Sequence, residues 1–519
     1  MKKLKSILCV GLAVLMVASV FTGCKKEVEV GERKLTYWMG NTPSSYGMSN
    51  MGEVGALKTI QENIGIEVEY VHPSSAAWEE SFNIMIASDD MTDLINWNWG
   101  TKYNGGYAGA YNDGIIIDLS DKLDKVPNYK KILDSDPTID KTLRTVDGQL
   151  FYFSVIRNDP KINVYYGPMI RQDWLDKLGL EMPQTISDWY NVLKAFKERD
   201  PNGNGKKDEI PLAINKTAAF GHFAGAYGIV KGGFYVKNGK VHYGSVQPEF
   251  KEFITEMNKW YKEGLIDSEY PAVDRAVADA YMVNDISGAT LGAVGSGMTT
   301  YINVAADKPY YNLVAAPWPS KDANSPKYIP MNIKKLAESD EGTVITTDCD
   351  NLDVALEYMN YLYSDEATVL QNWGVEGTTY VNENGKLKFT DAILNSPDGP
   401  AKALAPYALT ITGAPVKVMD GAAYASVQFN KPAQANAAEV WATGDYSLMV
   451  DDWPLTADEK AEASSLLAQI QTYENEIFTK FVMGKEPISN FNKYVSRMEE
   501  LGVKELVAIY QRAYDRFSK

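Results

Sequence analysis

Cysteine and histidine are scarce in this chain, with three of each among 519 residues. They are Cys9, Cys24 and Cys349, and His72, His222 and His242. The histidines lack the spacing of a zinc site or of a catalytic triad, and neither a GxSxG nor an HExxH motif is present. Peptidase and esterase chemistry is therefore left without residues to perform it.

Long apolar runs are also missing, except at the N-terminus. Lys2, Lys3 and Lys5 precede an uncharged apolar stretch from Ile7 to Val20. This stretch is shorter than the roughly 20 residues that a membrane-spanning helix needs. The pattern predicts a signal peptide over residues 1–23 rather than a retained membrane helix.

The end of this stretch, Phe21-Thr22-Gly23-Cys24, resembles the bacterial lipobox, although Phe21 stands where leucine is usual. The resemblance implies a palmitate-type lipid on Cys24, a tether over residues 24–33, and an extracytoplasmic location anchored to the cell membrane. The alternative is cleavage elsewhere, with Cys24 as a spare thiol. Cys349 would be the only thiol of the folded part, so no internal disulfide is expected.

Charge of one sign dominates. The formal net charge is −17, and cleavage after residue 23 removes three lysines and no acid. An excess of acid repels phosphate backbones and anionic headgroups, so nucleic acid is not an expected partner. An anionic sugar stays open, because a local cluster of Lys or Arg can oppose the global sign. The 32 tyrosines and 11 tryptophans are rings of the kind that stack on sugars, although most will pack in the core.

The order of predicted elements indicates an α/β fold. A strand over residues 35–39 precedes a Gly/Ser/Asn-rich loop, a helix over 53–64 and an alternating strand over 66–71. A second unit follows at once, with a helix over 78–87 and a short strand from Asp93. Open α/β sheets bind ligands at the carboxyl ends of such strands.

Residues 200–209 form the most specific motif. Asp200, Asn202, Asn204 and Asp208 occupy loop positions one, three, five and nine, with glycine at six and the Lys206 carbonyl at seven. This is the first part of an EF-hand calcium loop. Position twelve is Pro211 rather than glutamate, so the last carboxylates must be Asp208 and Glu209. A solvated Asn-Gly turn is the alternative.

Several segments resemble one family along almost the whole chain, from about Leu35 to about Phe517. They are FNIMIASDDMTDLI at 82–95, DGQLFYF at 147–153, YKEGLID at 261–267 and NWGVEGTTY at 372–380. They are similar to bacterial extracellular solute-binding proteins of family 1, in particular the large LplA-like and alginate-binding-like lipoproteins of ABC transporters, whose equivalent of loop 200–209 is a structural calcium site.

The resemblance implies a two-lobed, type II periplasmic-binding-protein-like fold. Each lobe would be a mixed sheet flanked by helices, with several hinge crossovers and a helical C-terminal part. We expect residues 34–155 plus 318–375 in the N-terminal lobe and residues 156–317 plus 376–519 in the C-terminal lobe.

Sugar-binding members of the family place an aromatic residue directly after the strand that here starts at Asp93. Trp97 and Trp99 match that position. The full set of expected ligand-binding residues is Trp97, Trp99, Tyr152, Tyr166, Ser296, Trp318, Glu376, Trp441 and Trp453. The alternative for each tryptophan is packing inside a lobe.

The predicted function is that of a monomeric substrate-binding lipoprotein of an ABC importer. It would capture an oligosaccharide or other sugar-like ligand between its lobes and deliver it to the transmembrane subunits of a permease, without catalysis. One alternative is an exported carbohydrate-active enzyme, a glycosidase or lyase with two carboxylates across the scissile bond. The others are a peptide-binding or a sensor-associated member of the same fold.

Overall fold

The computed structural model describes residues 33–40, 48–74, 76–88, 90–157, 159–214, 220–331, 334–409 and 416–519. Its strands are β1 (Lys34–Met39), β2 (Glu67–Val71), β3 (Leu94–Trp97), β4 (Phe153–Arg157), β5 (Tyr166–Arg171), β6 (Leu212–Ala213), β7 (Phe234–Lys237), β8 (Lys240–Tyr243), β9 (Ala289–Ala293), β10 (Leu313–Ala315), β11 (Ala337–Ile345), β12 (Tyr380–Glu383), β13 (Lys386–Phe389) and β14 (Val418–Met419).

The described α-helices lie between and after these strands. They are α1 (Gly55–Ile64), α2 (Trp78–Ser88), α3 (Trp99–Lys102), α4 (Gly106–Asn112), α5 (Pro127–Ser135), α6 (Pro137–Leu143), α7 (Gln172–Leu178), α8 (Ile186–Glu198), α9 (Gly221–Ala224), α10 (Pro248–Lys262), α11 (Arg275–Val283), α12 (Thr299–Val304), α13 (Leu352–Tyr361), α14 (Asp365–Trp373), α15 (Asp391–Leu394), α16 (Pro400–Leu404), α17 (Gly421–Gln428), α18 (Pro432–Ala442), α19 (Ala457–Val482), α20 (Phe491–Glu500) and α21 (Val503–Phe517). None of these helices is both long and apolar enough to cross a membrane.

The first sheet has the strand order β14-β4-β11-β3-β1-β2. β1 pairs in parallel with β2 and β3, whereas β11 runs antiparallel to β3 and β4. β2 alternates between exposed acids and buried residues, and Lys34 of β1 lies 3.4 Å from Glu67 and 3.3 Å from Glu69 of β2. This alternation is typical of a strand with one face on the core and one in water.

The second sheet has the order β10-β5-β9-β6. β5 is antiparallel to β9 and β10, and β6 is parallel to β9. Arg171 is the last residue of β5. Its buried guanidinium contacts the carboxylates of Asp173 at 2.6 Å and Asp285 at 2.7 Å. Two partners and a stack of 4.0 Å on the Tyr311 ring satisfy a charge that burial would otherwise penalise.

Local signals were predicted well from the sequence. α1, β2 and α2 lie within two residues of their predicted bounds. A capping box of Thr456 and Glu459 begins α19, with both reciprocal hydrogen bonds present. The predicted α/β class, with mixed sheets flanked by helices, is confirmed.

The sheets differ from the predicted lobe bounds at three places. β4 extends to Arg157, so residues 156–157 belong to the first sheet rather than to the second lobe. Trp318 donates from its indole to the Trp441 carbonyl at 2.9 Å and packs in the second lobe, so the first lobe resumes only near β11.

The third difference concerns residues 376–428. The ring of Trp373 stacks on Phe389 of the β12–β13 hairpin at 4.6 Å, and helix α17 packs in the same cluster. β14 then pairs in parallel with β4 in the first sheet. β14 therefore belongs to the first sheet, although the prediction placed residues from 376 onward in the C-terminal lobe.

Candidate ligand site

In both sheets, the carboxyl ends of the parallel strands lie on the side where the chain crosses between the lobes. In the first sheet β4 ends at Arg157, β11 begins at Ala337, and Trp97 at the end of β3 pairs with Gly342. In the second sheet β5 begins at Tyr166, and β9 and β10 end beside it. The crossovers join these edges, so the carboxyl ends of the parallel strands, where α/β sheets bind ligands, lie there.

A cavity of about 410 Å³ opens on the second-lobe edge. Residues from β5, β9 and helices α9, α11 and α12 surround it, together with Met331 from the return crossover. They are Tyr165, Tyr166, His222, Arg275, Ala278, Asp279, Thr290, Leu291, Gly292, Ala293, Gly297, Tyr301 and Met331. Cavities of this size, with aromatic walls and a few convergent polar groups, are typical of small-ligand sites.

Three rings are stacked along one wall of this cavity. His222 lies 4.8 Å from Tyr166 and 5.6 Å from Trp318, with interplanar angles of 23° and 12°. Burial lowers the pKa of His222 to about 4, so its imidazole is neutral at pH 7. Its Nδ1 atom is buried without a hydrogen-bond partner. His222 is therefore a neutral imidazole stacked against two rings, with a buried Nδ1 atom that makes no hydrogen bond.

Charged groups in the cavity are already paired. Arg275 Nε lies 3.5 Å from Asp279 Oδ2, and the same guanidinium donates to the Ser296 carbonyl at 3.0 Å. The Tyr301 hydroxyl donates to Asp279 at 2.5 Å. The wall thus presents one guanidinium and one carboxylate side by side, and both still have hydrogen-bonding capacity toward a ligand.

The first-lobe edge carries a cluster of rings around Trp97. Phe82 stacks on Trp97 at 5.0 Å, and Trp38 and Trp78 meet it edge-on at 5.3 and 6.0 Å. Trp97 is only 4% exposed, whereas Trp78 is 41% exposed. Trp97 is therefore a buried ring against which Trp78 packs, and Trp78 is the ring of this cluster that is exposed to solvent. Residues 41–47, which follow β1 at this edge, lie outside the described residues.

Four of the predicted ligand-binding tryptophans are packed inside the lobes. Trp99 is fully buried and contacts Phe82 at 5.2 Å. The Trp441 indole donates to the carbonyls of Pro168 and Ala316 at 3.2 and 3.1 Å. The other two are buried as well, Trp318 beneath His222 and Trp453 against Tyr514. Because none of these rings has a free face, we assign all four to packing.

The remaining predicted residues have different surroundings. Tyr152 is buried and stacks on Tyr107 at 3.9 Å, so it too belongs to the interior. Ser296 is exposed in the turn after β9, beside the cavity. Glu376 is exposed in the turn before β12, on the first-lobe side. Tyr166 and Ser296 are thus brought together by the fold, whereas Glu376 lies in another part of the chain's surface.

The predicted calcium loop is tightly curled. Asp200 adopts a left-handed conformation with φ of 46°, and its carboxylate accepts from the amides of Asn204 at 3.1 Å and Gly205 at 3.0 Å. Asn202 and Asn204 also accept from amides of the loop, at 2.9 and 2.7 Å. The side-chain oxygens of Asp200, Asn202 and Asn204 therefore point toward the inside of one turn.

Glu209 provides a test of whether a cation fits this loop. It is 5% exposed, and both carboxylate oxygens are buried without a hydrogen-bond partner. Burial and the nearby charges of Asp200 and Asp208 raise its pKa. Among the described residues no group of three or more His, Cys, Asp and Glu side chains is held at metal-binding spacing. Amide and carbonyl oxygens complete the donor set of the loop, and calcium accepts such oxygens.

Comparison with known proteins identifies the family. A family model described as bacterial extracellular solute-binding protein matches residues 55–369. The chain belongs to this family. The resemblance inferred from the sequence is therefore confirmed, and with it the expectation of an extracellular binding protein rather than an enzyme.

Two curated relatives of this solute-binding protein extend over most of its length. The fructooligosaccharide ABC transporter substrate-binding protein FusA of Streptococcus pneumoniae serotype 4 is 26% identical over 499 residues, covering 89% of this chain and 86% of FusA. The polygalacturonan/rhamnogalacturonan-binding protein YtcQ of Bacillus subtilis is 23% identical over 480 residues, or 88% of each chain.

Solved structures agree with the fold. The alginate-binding protein AlgQ2 without calcium ion has a TM-score of 0.67 at 23% identity and covers 93% of this chain and 98% of its own. An EF-hand mutant of S. pneumoniae FusA in complex with fructo-nystose has a TM-score of 0.72 at 23% identity, with coverage of 93% and 99%. These likenesses confirm the two-lobed fold of the solute-binding protein.

Sequence reasoning missed several residues of the cavity and of the first-lobe edge. Tyr165 directly precedes the predicted Tyr166 in the crossover and is 42% exposed. Trp78 lies seven residues after β2, so its place near the carboxyl end of a parallel strand was a usable signal. His222, Arg275 and Asp279 carried no such signal, because their meeting depends on helices α9 and α11 packing beside β9.

Proposed function

We propose that this solute-binding protein is the substrate-binding lipoprotein of an ABC importer. It captures an oligosaccharide or sugar-like ligand in the cleft between its lobes and delivers it to the transmembrane subunits of a membrane permease. The observation that carries the proposal is the second-lobe cavity, whose stacked Tyr166 and His222 rings lie beside the paired Arg275 and Asp279. FusA and YtcQ bind saccharides, which supports the same ligand class.

The proposed binding mechanism uses rings from both lobes. Trp78, backed by Trp97, offers an apolar face on the first lobe, and Tyr165 with Tyr166 offers one on the second. Pyranose and furanose rings have apolar faces that stack on such side chains, while their hydroxyls need donors and acceptors. His222, Arg275, Asp279 and the Ser296 region supply these. Rotation of the lobes about the crossovers would close the cleft around the ligand, and the permease would recognise the closed conformation.

The geometry of the cavity also argues against hydrolysis of the sugar. Glycosidases place two carboxyl groups about 5–10 Å apart across the scissile bond. Among the described residues that line the cavity, Asp279 is the only carboxylate. The described wall of this cavity therefore holds no carboxylate pair of that kind.

Calcium is the second part of the proposal. Asp200, Asn202, Asn204, Asp208 and Glu209, with the Lys206 carbonyl, would hold a structural calcium ion. The ion would neutralise a concentration of acids and occupy the unpaired oxygens of Glu209. The AlgQ2 structure without calcium ion and the FusA EF-hand mutant indicate that relatives of this shape have such sites.

The location of the protein completes the proposal. Cys24 and the rest of residues 1–32 lie outside the described residues, so the acylated anchor rests on the lipobox-like sequence. We propose that the mature chain is a monomer held to the outer face of the cell membrane by lipid at Cys24, with the folded lobes beginning near Lys34. Metabolic labelling with a palmitate analogue should label the wild-type chain and not a Cys24→Ser variant.

A thermal-shift screen of the mature chain against oligosaccharides and peptides tests the proposed ligand class. We expect one saccharide series to raise the melting temperature, since a ligand at 100 times its Kd adds about 2.7 kcal/mol to stability. Chromatography after long incubation should recover the saccharide intact. Stabilisation by peptides alone, or release of shorter sugars, would contradict the proposal.

A further inference from the structure

We propose that the cleft is specific for neutral glycans and discriminates against uronic acids. The inference rests on the proposed function and names the ligand's charge class within it. It matters because the two curated relatives described above differ in this respect: fructooligosaccharides are neutral, whereas polygalacturonan carries a carboxylate on each ring. At 26% and 23% identity, neither relative determines the charge of this chain's ligand, so we infer it from the chain's own residues.

The first supporting observation is the state of Arg275. It is the only cation among the described residues that line the second-lobe cavity, and Asp279 lies 3.5 Å from it. A ligand carboxylate approaching Arg275 would also approach Asp279. The other polar groups of the wall, which are tyrosine hydroxyls, a threonine and the neutral imidazole of His222, carry no charge. The described wall therefore offers no uncompensated positive charge.

The second observation comes from the first-lobe edge. The irregular half of β11 between Ala337 and Gly342 contains Glu338, Asp340 and Glu341. The carboxylate of Asp452, from the second lobe, accepts a hydrogen bond from the Ser339 hydroxyl in the same stretch. Three bases accompany these four acids: Arg157 and Lys335 contact Glu338 at 3.1 and 3.3 Å and also lower the pKa of Glu341, and Lys460 acts in the same way on Asp340. Acids thus exceed bases among the described residues of this edge.

The titration of these acids agrees with this picture. Burial and the charge of Glu338 raise the pKa of Glu341 to about 7, and burial together with Asp452 raises the pKa of Asp340. A site that already disfavours its own negative charges disfavours a ligand's carboxylate for the same reason. Desolvating a carboxylate without a free cation is costly, and like charges across an interface add to that cost.

A neutral sugar meets no such penalty at the same pair. Adjacent hydroxyls of one ring can accept from the Arg275 guanidinium and donate to the Asp279 carboxylate. Hydrogen bonds to charged groups are stronger than those between neutral groups. The ion pair therefore favours a vicinal diol, while its zero net charge gives no gain to an anion.

Titration calorimetry on the mature chain tests the inference with two matched saccharide sets. One contains neutral fructo-, gluco- and galacto-oligosaccharides, and the other contains galacturonate and alginate oligosaccharides of the same lengths. We expect at least one neutral series to bind at least about 100-fold more tightly than every uronate. Equal or tighter binding of a uronate would overturn the inference and leave the proposed function standing. If no saccharide of either set binds, both fail.

A charge substitution gives a second, independent readout. Asp279→Asn keeps an acceptor for the Tyr301 hydroxyl and leaves Arg275 without its anion. We expect this variant to reduce the preference for neutral over uronate ligands by about ten-fold, the typical size of one opposite charge at a partly exposed site. Asp307→Asn, an exposed acid beyond the end of α12, removes the same charge outside the cavity and should leave the preference unchanged. An unchanged preference in Asp279→Asn would overturn the inference.

Discussion

Tyr166 and Trp441 both adjoin Gly167, yet their surroundings differ. A side chain at position 167 would begin 2.4 Å from the Trp441 ring, whose indole is bonded to two backbone carbonyls. Tyr166 instead lies against His222 and lines the cavity. At the residue scale, therefore, Gly167 of β5 packs against the buried Trp441 ring, whereas its neighbour Tyr166 lines the cavity.

Trp441→Ala should lower stability rather than affinity. The substitution would open a large void against β5 and leave two carbonyls without a donor, which costs about 3–5 kcal/mol. Urea unfolding should show that loss relative to Tyr166→Ala, which removes a partly exposed ring. Weakened sugar binding with unchanged unfolding would instead return Trp441 to the ligand site.

His222 makes stability depend on pH. Its pKa is about 4 in the folded chain and about 6.5 when unfolded. Between these values the unfolded state binds more protons, so the free energy of unfolding should decrease as pH falls from 6.5 to 4. His222→Gln should flatten that part of the urea-unfolding profile, whereas His242→Gln, outside the cavity, serves as the control. A profile with the same slope in both variants would contradict the assigned environment of His222.

At the scale of elements, the loop over residues 200–209 is the feature that its own sequence specifies best. Its oxygens and glycines alternate within ten residues, so the curled turn forms from local rules. Helix starts such as Thr456 and Thr185 are specified just as locally, because a cap and its partner lie three residues apart. β14 was not, since it is a two-residue strand defined only by pairing with β4.

Calcium should stabilise the chain through that loop. We expect chelation to lower the melting temperature and calcium at 100 times its Kd to restore about 2.7 kcal/mol. Glu209→Gln should abolish most of this response, because Glu209 has two buried oxygens without other partners. Glu181→Gln changes an exposed acid of the same lobe and should respond like the wild type. A full calcium response in Glu209→Gln would remove that residue from the site.

At the scale of the whole molecule, the sequence predicted the fold class, the family and Tyr166 of the cavity, but not which tryptophans are packed inside the lobes. The choice between a packed and an open tryptophan is made by distant partners, as for Trp318 and Trp441, which are 123 residues apart and hydrogen-bonded. The packing of residues 376–428 depends on distant partners in the same way, since the β12–β13 hairpin packs on Trp373 and β14 pairs with β4. Local capping and loop rules carry no information about such contacts.

The central claim is that one ligand is held by both lobes. Calorimetric titration of the best saccharide from the screen into wild-type, Trp78→Ala and Tyr166→Ala chains tests it most directly. Tyr111→Ala is the control, because Tyr111 is an exposed ring of the first lobe that lies away from the cleft. Its helix leads to Gly114, whose carbonyl accepts from Thr347, two residues past the end of β11 that is far from the crossovers. The account predicts that Trp78→Ala and Tyr166→Ala each weaken binding at least about ten-fold, because loss of one stacked ring removes about 1–3 kcal/mol, and that both lower the melting temperature less than Trp441→Ala does. Full affinity in either of these two variants would contradict a ligand held between the lobes.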